Sequence, residues 1–214
     1  MCGFAGFVGE VENREQVLEN MIDTIIHRGP DSSGKFVDED AALGFRRLSI
    51  IDLSESGDQP LYNEDRSKVL VFNGEIYNYQ ELREELIQAG HTFVSNTDSE
   101  TLIHGYEQWG EELVYRLRGM YAFAIWDQKA KRLFSARDIF GIKPLYYAQM
   151  NGTLMFGSEI KSFLEHPKFD KVFNEDALGN YLSFQFVPTN ETFFKGVFCV
   201  QPVSYTHLTL PTIA

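Results

Sequence analysis

Apolar positions set the expected elements. Cys2 to Val8 alternates small and apolar residues and predicts a buried strand. From Arg14 to His27, Val17, Leu18, Met21, Ile22, Ile25 and Ile26 recur on one helical face, and Pro30 lies beyond as a stop. Arg28 to Gly34 is loop by composition. Strands are predicted at Ala41–Arg46 and Ser49–Asp52, followed by a turn-rich stretch from Leu53 to Arg66. Val69 to Phe72 is a short apolar run that leads into Asn73-Gly74. Asn78 is placed to cap a helix to Ala89, with Glu81 at the reciprocal position and Gly90 closing it. Thr97 and Glu100 form a second such pair before a helix to Trp109, with Leu102, Ile103 and Tyr106 as its inner face.

Beyond Met120 the period shifts toward two. Strands are predicted at Tyr121–Trp126, Arg132–Ala136, Leu145–Gln149 and Leu154–Phe156, separated by turn residues as in antiparallel sheets. Short helices follow at Ser158–Leu164 and Glu175–Ser183. No linker rich in Gly, Ser or Pro interrupts the chain before position 185, so one domain with two sheets and flanking helices is expected.

Composition narrows the partners. Thirty-one acidic against 19 basic residues leave a net charge of -12, which argues against a nucleic-acid partner. No apolar run approaches the roughly 20 residues of a membrane span, and the start lacks the pattern of a signal peptide. Cys2 and Cys199 are far apart and suggest no disulfide framework, so a reducing cytoplasm is expected. The five histidines show no metal-ligand spacing, and no metal is expected.

The chemistry begins at Met1-Cys2-Gly3. Once the initiator methionine is removed, one residue carries both a thiol and a free α-amine. An α-amine titrates near about 8 and a thiol near about 8.5, so the amine can take the thiol proton near neutral pH. The bland alternative is a small residue that packs as a buried thiol. Asn73-Gly74 between apolar runs is first a hairpin signal. Its functional reading is a pair of donors, an amide and a close glycine N–H, aimed at a developing oxyanion. Arg47 can clamp a carboxylate, or solvate a strand end. Asp98 in the first turn of a helix is favourable through the macrodipole alone, yet with Glu75 it can hold an ammonium. Together these groups describe a pocket for a free amino acid carrying a side-chain amide, glutamine or asparagine.

Met1-Cys2-Gly3-Phe4-Ala5-Gly6 resembles the start of class II glutamine amidotransferases. Further stretches match in order: His27-Arg28-Gly29-Pro30-Asp31, Arg47-Leu48-Ser49-Ile50-Ile51-Asp52, Phe72-Asn73-Gly74-Glu75-Ile76-Tyr77-Asn78 and Thr97-Asp98-Ser99-Glu100. Ala136-Arg137-Asp138, Phe140-Gly141-Ile142-Lys143-Pro144-Leu145-Tyr146 and Gly157-Ser158-Glu159-Ile160-Lys161 complete the series. The set looks most like the glutaminase domain of glutamine-hydrolysing asparagine synthetases, over residues 2–202.

That resemblance implies an α+β fold, a four-layer α/β/β/α Ntn-hydrolase sandwich of two mainly antiparallel sheets. It implies that Cys2 attacks the glutamine carboxamide, expels ammonia and forms a thioester that water opens. By position, Asn73 and Gly74 form the oxyanion hole, Arg47 binds the substrate carboxylate, and Glu75 and Asp98 bind its ammonium. The backbone of Leu48, Ser49, Ile50 and Ile51 lines the pocket. No cofactor is implied for the glutaminase half-reaction; ATP and Mg belong to the synthetase domain. The implied partners are glutamine, that synthetase domain in cis, and a second copy of the intact protein in a homodimer.

Three departures stand out. Phe45 occupies a position where relatives often carry His, and packing is expected to absorb it with little effect on Arg47. After Pro202 the family pattern expects a Pro-Gly-containing strand, whereas Val203–Ala214 is atypical and reads as an artefact of sequencing or assembly. An independently read gene with the same codons followed by a stop refutes that reading. The synthetase half, with its Ser-Gly-Gly phosphate loop, does not occur in the 214 residues. Truncation is expected to expose apolar surface and to lower stability. Three alternatives stay open: the same half-reaction feeding a sugar-phosphate or phosphoribosyl acceptor, an N-terminal nucleophile amidase of other specificity, and a non-catalytic module.

Overall fold

The computed structural model describes residues 2–48 and 57–202, with the backbone of 205–209. The predicted strand Ser49–Asp52 and the position of Met1 lie outside the described residues.

Two antiparallel sheets carry the chain. The first has six strands: β1 (Gly3–Val8), β2 (Ser32–Val37), β3 (Ala41–Arg47), β8 (Tyr146–Met150), β9 (Thr153–Gly157) and β10 (Val197–Cys199). Their spatial order is β10-β8-β9-β1-β3-β2, so the N-terminal strand lies in the middle. The second sheet contains β4 (Leu61–Tyr62), β5 (Lys68–Ile76), β6 (Gly119–Asp127), β7 (Arg132–Arg137) and β11 (Tyr205–Thr209), in the order β11-β7-β6-β5-β4.

The two-residue period of each strand sorts its side chains into layers. Phe4, Val8, Leu43, Phe45, Val69, Val71, Ala124 and Trp126 meet between the sheets in one buried cluster. On the outer face of the first sheet, Ala5, Phe7 and Ala42 pack on Leu18, Met21 and Ile22 of α1 (Arg14–Asp23) and on Phe163 of the 3-10 segment Ile160–Glu165. On the outer face of the second, Leu70, Phe72 and Phe123 pack on Leu82 of α2 (Tyr79–Gln88) and on Leu102, Ile103 and Tyr106 of α3 (Asp98–Trp109). The layers are therefore helix, sheet, sheet, helix, and the α+β sandwich expected from the sequence is present. Phe45 is 2% exposed within the inter-sheet cluster, opposite Phe4.

Several expectations need correction. Asn73-Gly74 is not a hairpin turn. β5 runs straight through it, with Asn73 opposite Ala122 and Gly74 opposite Tyr121. Glycine is required there by close approach: a Cβ on Gly74 would lie 2.3 Å from the Met120 carbonyl oxygen. β2 falls on residues read as loop or left unassigned; its alternation of half-buried and exposed positions suits the sheet's outermost strand. The helix predicted to His27 gives way after Asp23 to a 3-10 turn at Ile26–Arg28. The short α4 (Leu113–Arg116) and β10 were not predicted. α2 and α3 begin where predicted, but neither N-terminal capping side chain accepts from a backbone N–H of its own helix. Asn78 instead joins the segment before β6, donating to Arg116 O (2.9 Å) and accepting from Arg118 N (2.9 Å). Glu100 accepts from Val94 N (2.7 Å) and Ser95 N (2.8 Å) and so ties down the approach to α3. The last helix, α5 (Glu175–Phe184), buries only Ala177.

Candidate active site

Strand parity brings the predicted residues to one place. Cys2 packs against the inter-sheet cluster, as does its even-numbered neighbour in β1, Phe4. In β3 the inter-sheet residues are Ala41, Leu43 and Phe45, and Arg47 continues that face. In β5 they are Val69 and Val71, and Asn73 and Glu75 continue it. The four candidate side chains thus stand on facing surfaces at one end of the space between the sheets.

Cys2 is half-buried. Its Sγ lies 3.4 Å from Leu48 N, which donates to it, and 3.6 Å from Leu48 O. The strand behind it is fixed by Ser158, whose N donates to Phe4 O (2.8 Å) and whose Oγ accepts from Phe4 N (3.1 Å). Arg28, delivered by the 3-10 turn, donates from Nε to Cys2 O (3.0 Å) and from Nη1 to Glu159 Oε1 (3.0 Å). The Asn73 amide satisfies both of its ends in one orientation. Nδ2 then donates to Cys2 O (3.2 Å) and Oδ1 accepts from Arg28 Nη2 (3.3 Å). An amide nitrogen has two hydrogens, so the second stays available for an oxyanion.

The Gly74 N–H is directed by sheet geometry. Tyr121, opposite Gly74, turns its own backbone to Asp138: its N donates to Oδ2 (3.3 Å) and its carbonyl accepts from Asp138 N (2.8 Å). Gly74 is therefore in a non-hydrogen-bonded pair, and its N–H and C=O project from the far edge of β5. On that edge, two residues earlier, Phe72 N donates to Gln59 Oε1 (2.6 Å) and Phe72 O accepts from Gln59 Nε2 (3.2 Å). Two residues later, Ile76 N donates to Asp98 Oδ2 (2.9 Å). Gln59 and Asp98 thus stand in for a neighbouring strand on either side of Gly74.

Electrostatics divide the site. Burial, followed by the nearby Glu75 charge, pushes Asp98 above the usual carboxylate range, against the backbone donors that hold it down. Burial also works against the charge on Glu159. Arg28, His27 and Lys161 outweigh it and keep that carboxyl below its ordinary range. Arg47 is 8% exposed and donates from Nη1 to Asp58 Oδ1 (2.7 Å), which also accepts from Ser32 Oγ (3.1 Å).

The structure brings together Cys2, Leu48, Asn73 and Gly74, and places Asp98 at the end of β5 beside Glu75. Ser49, Ile50 and Ile51 lie outside the described residues. Sequence reasoning gave no role to Arg28, Gln59, Asp58 or Glu159. Their partners are distant in the chain, and only Arg28 and Glu159 lay in matched motifs.

A sequence model described as a glutamine amidotransferase domain matches residues 1–212. The chain belongs to the glutamine amidotransferase domain family. Among curated relatives of this amidotransferase domain, it is 47% identical over 209 residues to asparagine synthetase [glutamine-hydrolyzing] 1 of Bacillus subtilis, covering 95% of this chain and 33% of the relative. It is 43% identical over 219 residues to a putative asparagine synthetase of Mycobacterium tuberculosis, covering 92% of this chain and 33% of the relative. A Zea mays asparagine synthetase is 44% identical over 167 residues, 76% of this chain and 28% of the relative. The chain thus spans about one third of the length of the first two relatives.

Solved structures share the amidotransferase fold. A glutamine phosphoribosylpyrophosphate amidotransferase from B. subtilis, complexed with ADP and GMP, aligns with TM-score 0.66 at 20% identity, over 99% of this chain and 50% of that one. A structure described as the allosteric regulatory enzyme of purine biosynthesis aligns with TM-score 0.69 at 18% identity, over 99% and 49%. No described helix is long and apolar enough to cross a membrane.

Proposed function

We propose that this chain hydrolyses the side-chain amide of glutamine and supplies the ammonia to an ATP-dependent synthetase domain that makes asparagine. The observation that carries the reading is the Asn73 amide held on the Cys2 carbonyl, with the Gly74 N–H projecting from the neighbouring strand edge. Removal of Met1 leaves the α-amine on Cys2. The amine takes the thiol proton, and sulfur adds to the amide carbon. Negative charge on the amide oxygen meets the Asn73 amide and the Gly74 N–H. The amine returns the proton to the departing nitrogen, ammonia leaves, and a thioester remains. Water attacks it through a second oxyanion at the same place, releasing glutamate and the thiol.

Arg47 takes the substrate carboxylate, and Glu75 with Asp98 takes its ammonium. The Leu48 backbone lines the pocket beside the Cys2 thiol. The half-reaction uses no cofactor; ATP and Mg serve the synthetase step. A reducing cytoplasm suits a mechanism that needs a free thiol, and both cysteines are free.

Identity to asparagine synthetases favours asparagine as the product over a sugar-phosphate or phosphoribosyl acceptor. A synthetase domain in cis agrees with the greater length of those relatives. The exposure of Leu182 (73%), Phe184 (58%) and Phe186 (59%) at and just beyond the end of α5 suits a covering partner.

The test is intact-mass spectrometry before and after a diazoketone analogue of glutamine, with Cys2→Ala as control. Loss of Met1 and one adduct that Cys2→Ala abolishes are expected. Retention of Met1, or a processed chain that takes no adduct, overturns the assignment for this chain.

A further inference from the structure

On the far side of the second sheet, α3 and the loop after α2 bring together groups that the glutaminase chemistry does not use. One ligand atom from each of His91, His104 and Glu107 falls within 4.8 Å of the others. His104 Nδ1 lies 3.3 Å from Glu107 Oε2, which lies 4.0 Å from His91 Nδ1. Glu64, in the turn after β4, places Oε1 3.7 Å from the same His104 Nδ1. A tetrahedral zinc ion with bonds of about 2.1 Å has ligand atoms about 3.4 Å apart. The three atoms that lie within 4.8 Å of one another need to draw together by about 1.4 Å at most to reach that spacing, and Glu64 approaches His104 as a fourth donor.

The outer partners support the same assignment. A metal-bound imidazole usually donates its second N–H to an acceptor, which fixes the ring. His104 Nε2 is 3.6 Å from Glu100 Oε1, and His91 Nε2 is 3.1 Å from Gln108 Oε1. The second oxygen of Glu107 accepts from Asn63 Nδ2 at 2.8 Å and lies 3.8 Å from Lys68 Nζ. The outer atoms of His91 and Glu107 are therefore held by hydrogen bonds, while the outer nitrogen of His104 faces the Glu100 carboxylate. His104 is 3% exposed, while Glu64 is 56% exposed, so the cluster has a buried floor and an open entrance.

We propose that His91, His104, Glu107 and Glu64 form a structural site for a divalent transition ion of the zinc type. Two imidazoles and two carboxylates suit that ion better than Mg or Ca, which prefer all-oxygen sets. The ion would join the α2–α3 loop, α3 and the β4–β5 turn. The sequence concealed the site because its ligands lie on three separate segments and only His104 and Glu107 are near in the chain.

The test uses the full chain carrying Cys2→Ala, so that the thiol takes no metal. After EDTA treatment it is titrated with Zn²⁺ by calorimetry and with Co²⁺ by visible absorption. One ion per chain at micromolar affinity is expected, with the intense bands of a four-coordinate cobalt and a rise in melting temperature. His91→Ala, on the loop, and Glu107→Gln should each weaken binding at least about tenfold. His91→Ala with Cys2 intact should leave glutamine turnover unchanged. No binding, the weak spectrum of a six-coordinate surface ion, or affinity unchanged in both variants overturns the proposal. Should Glu107→Gln fail to fold, His91→Ala decides alone.

Discussion

The Arg28 guanidinium determines which way the Asn73 amide faces. Nη2 of Arg28 lies 3.3 Å from the amide oxygen, so the amide nitrogen is turned to Cys2. The same guanidinium holds the Cys2 carbonyl through Nε and is itself held by Glu159. One planar fork therefore orients both the Cys2 backbone and the Asn73 amide, the proposed nucleophile and oxyanion donor. Gly3 leaves room for it, since a Cβ there would lie 2.8 Å from the Arg28 side chain.

A lysine keeps the charge at position 28 but cannot bond in three directions with fixed geometry. Arg28→Lys should lower kcat for glutamine by roughly a hundredfold, the scale of losing one preorganised oxyanion donor. KM should change little. Steady-state kinetics separate the two; an unchanged kcat would show that Asn73 orients itself.

Gln59 completes the edge of β5 by giving Phe72 both a donor and an acceptor. Gln59→Leu leaves that N–H and C=O without their side-chain partner. A loss of about 2 to 4 kcal/mol in urea unfolding is expected, on a scale of about 1 to 2 kcal/mol per orphaned group. Glutamine turnover should fall as well, because Gly74 is two residues away. Gln59→Glu should recover only part of either property, since a carboxylate accepts from Phe72 N and repels Phe72 O.

Asp98 is poised to lose its charge more readily than an ordinary aspartate, because burial and Glu75 both raise its pKa. The ammonium of glutamine needs the ionised form. KM should therefore rise as pH falls, beginning at a higher pH than an unperturbed carboxylate would allow. Asp98→Asn should raise KM at neutral pH and remove that acid limb. A KM profile that stays flat in the parent chain would exclude Asp98 from ammonium binding.

His166 offers a stability test remote from the chemistry. It is 2% exposed, stacks edge-on to Phe7 with ring centroids 4.7 Å apart, and accepts from Lys168 N at Nδ1 (3.2 Å). Burial, assisted by Lys168, lowers its pKa from 6.5 to about 4. The unfolded chain therefore binds a proton that the folded chain refuses. The contribution is complete above pH 6.5 and is lost as pH falls toward about 4, up to roughly 3 kcal/mol. His166→Asn, which keeps an acceptor but does not titrate, should flatten the unfolding free energy across that window, even though it packs less well.

The four layers were legible because strand and helix periods survive in the apolar residues. β1, β6 and α3 were read from such patterns. Asn73-Gly74 misled because one dipeptide serves two physical needs. A turn uses glycine for positive φ, whereas here Gly74 allows the Met120 carbonyl to come close. The candidate nucleophile, the proposed oxyanion pair and the charged residues near them were each singled out by type. What no local pattern held was their mutual orientation. Arg28 reaches Glu159 across 131 positions, and Gln59 reaches Phe72 through a side chain that imitates a strand. The cation proposed beside α3 was hidden for the same reason.

The placement of β1 also governs when the nucleophile can exist. β1 is made first but lies between β3 and β9, and β9 ends only at Gly157. At a synthesis rate of about 5–20 residues per second, roughly 10 to 30 seconds separate the emergence of Cys2 from that of its last sheet neighbour. During that interval an apolar strand and a thiol wait without their partners. The ribosome thus releases a potential acyl-transfer centre long before it releases the walls that make it selective, and maturation of the N-terminus has the same interval in which to finish.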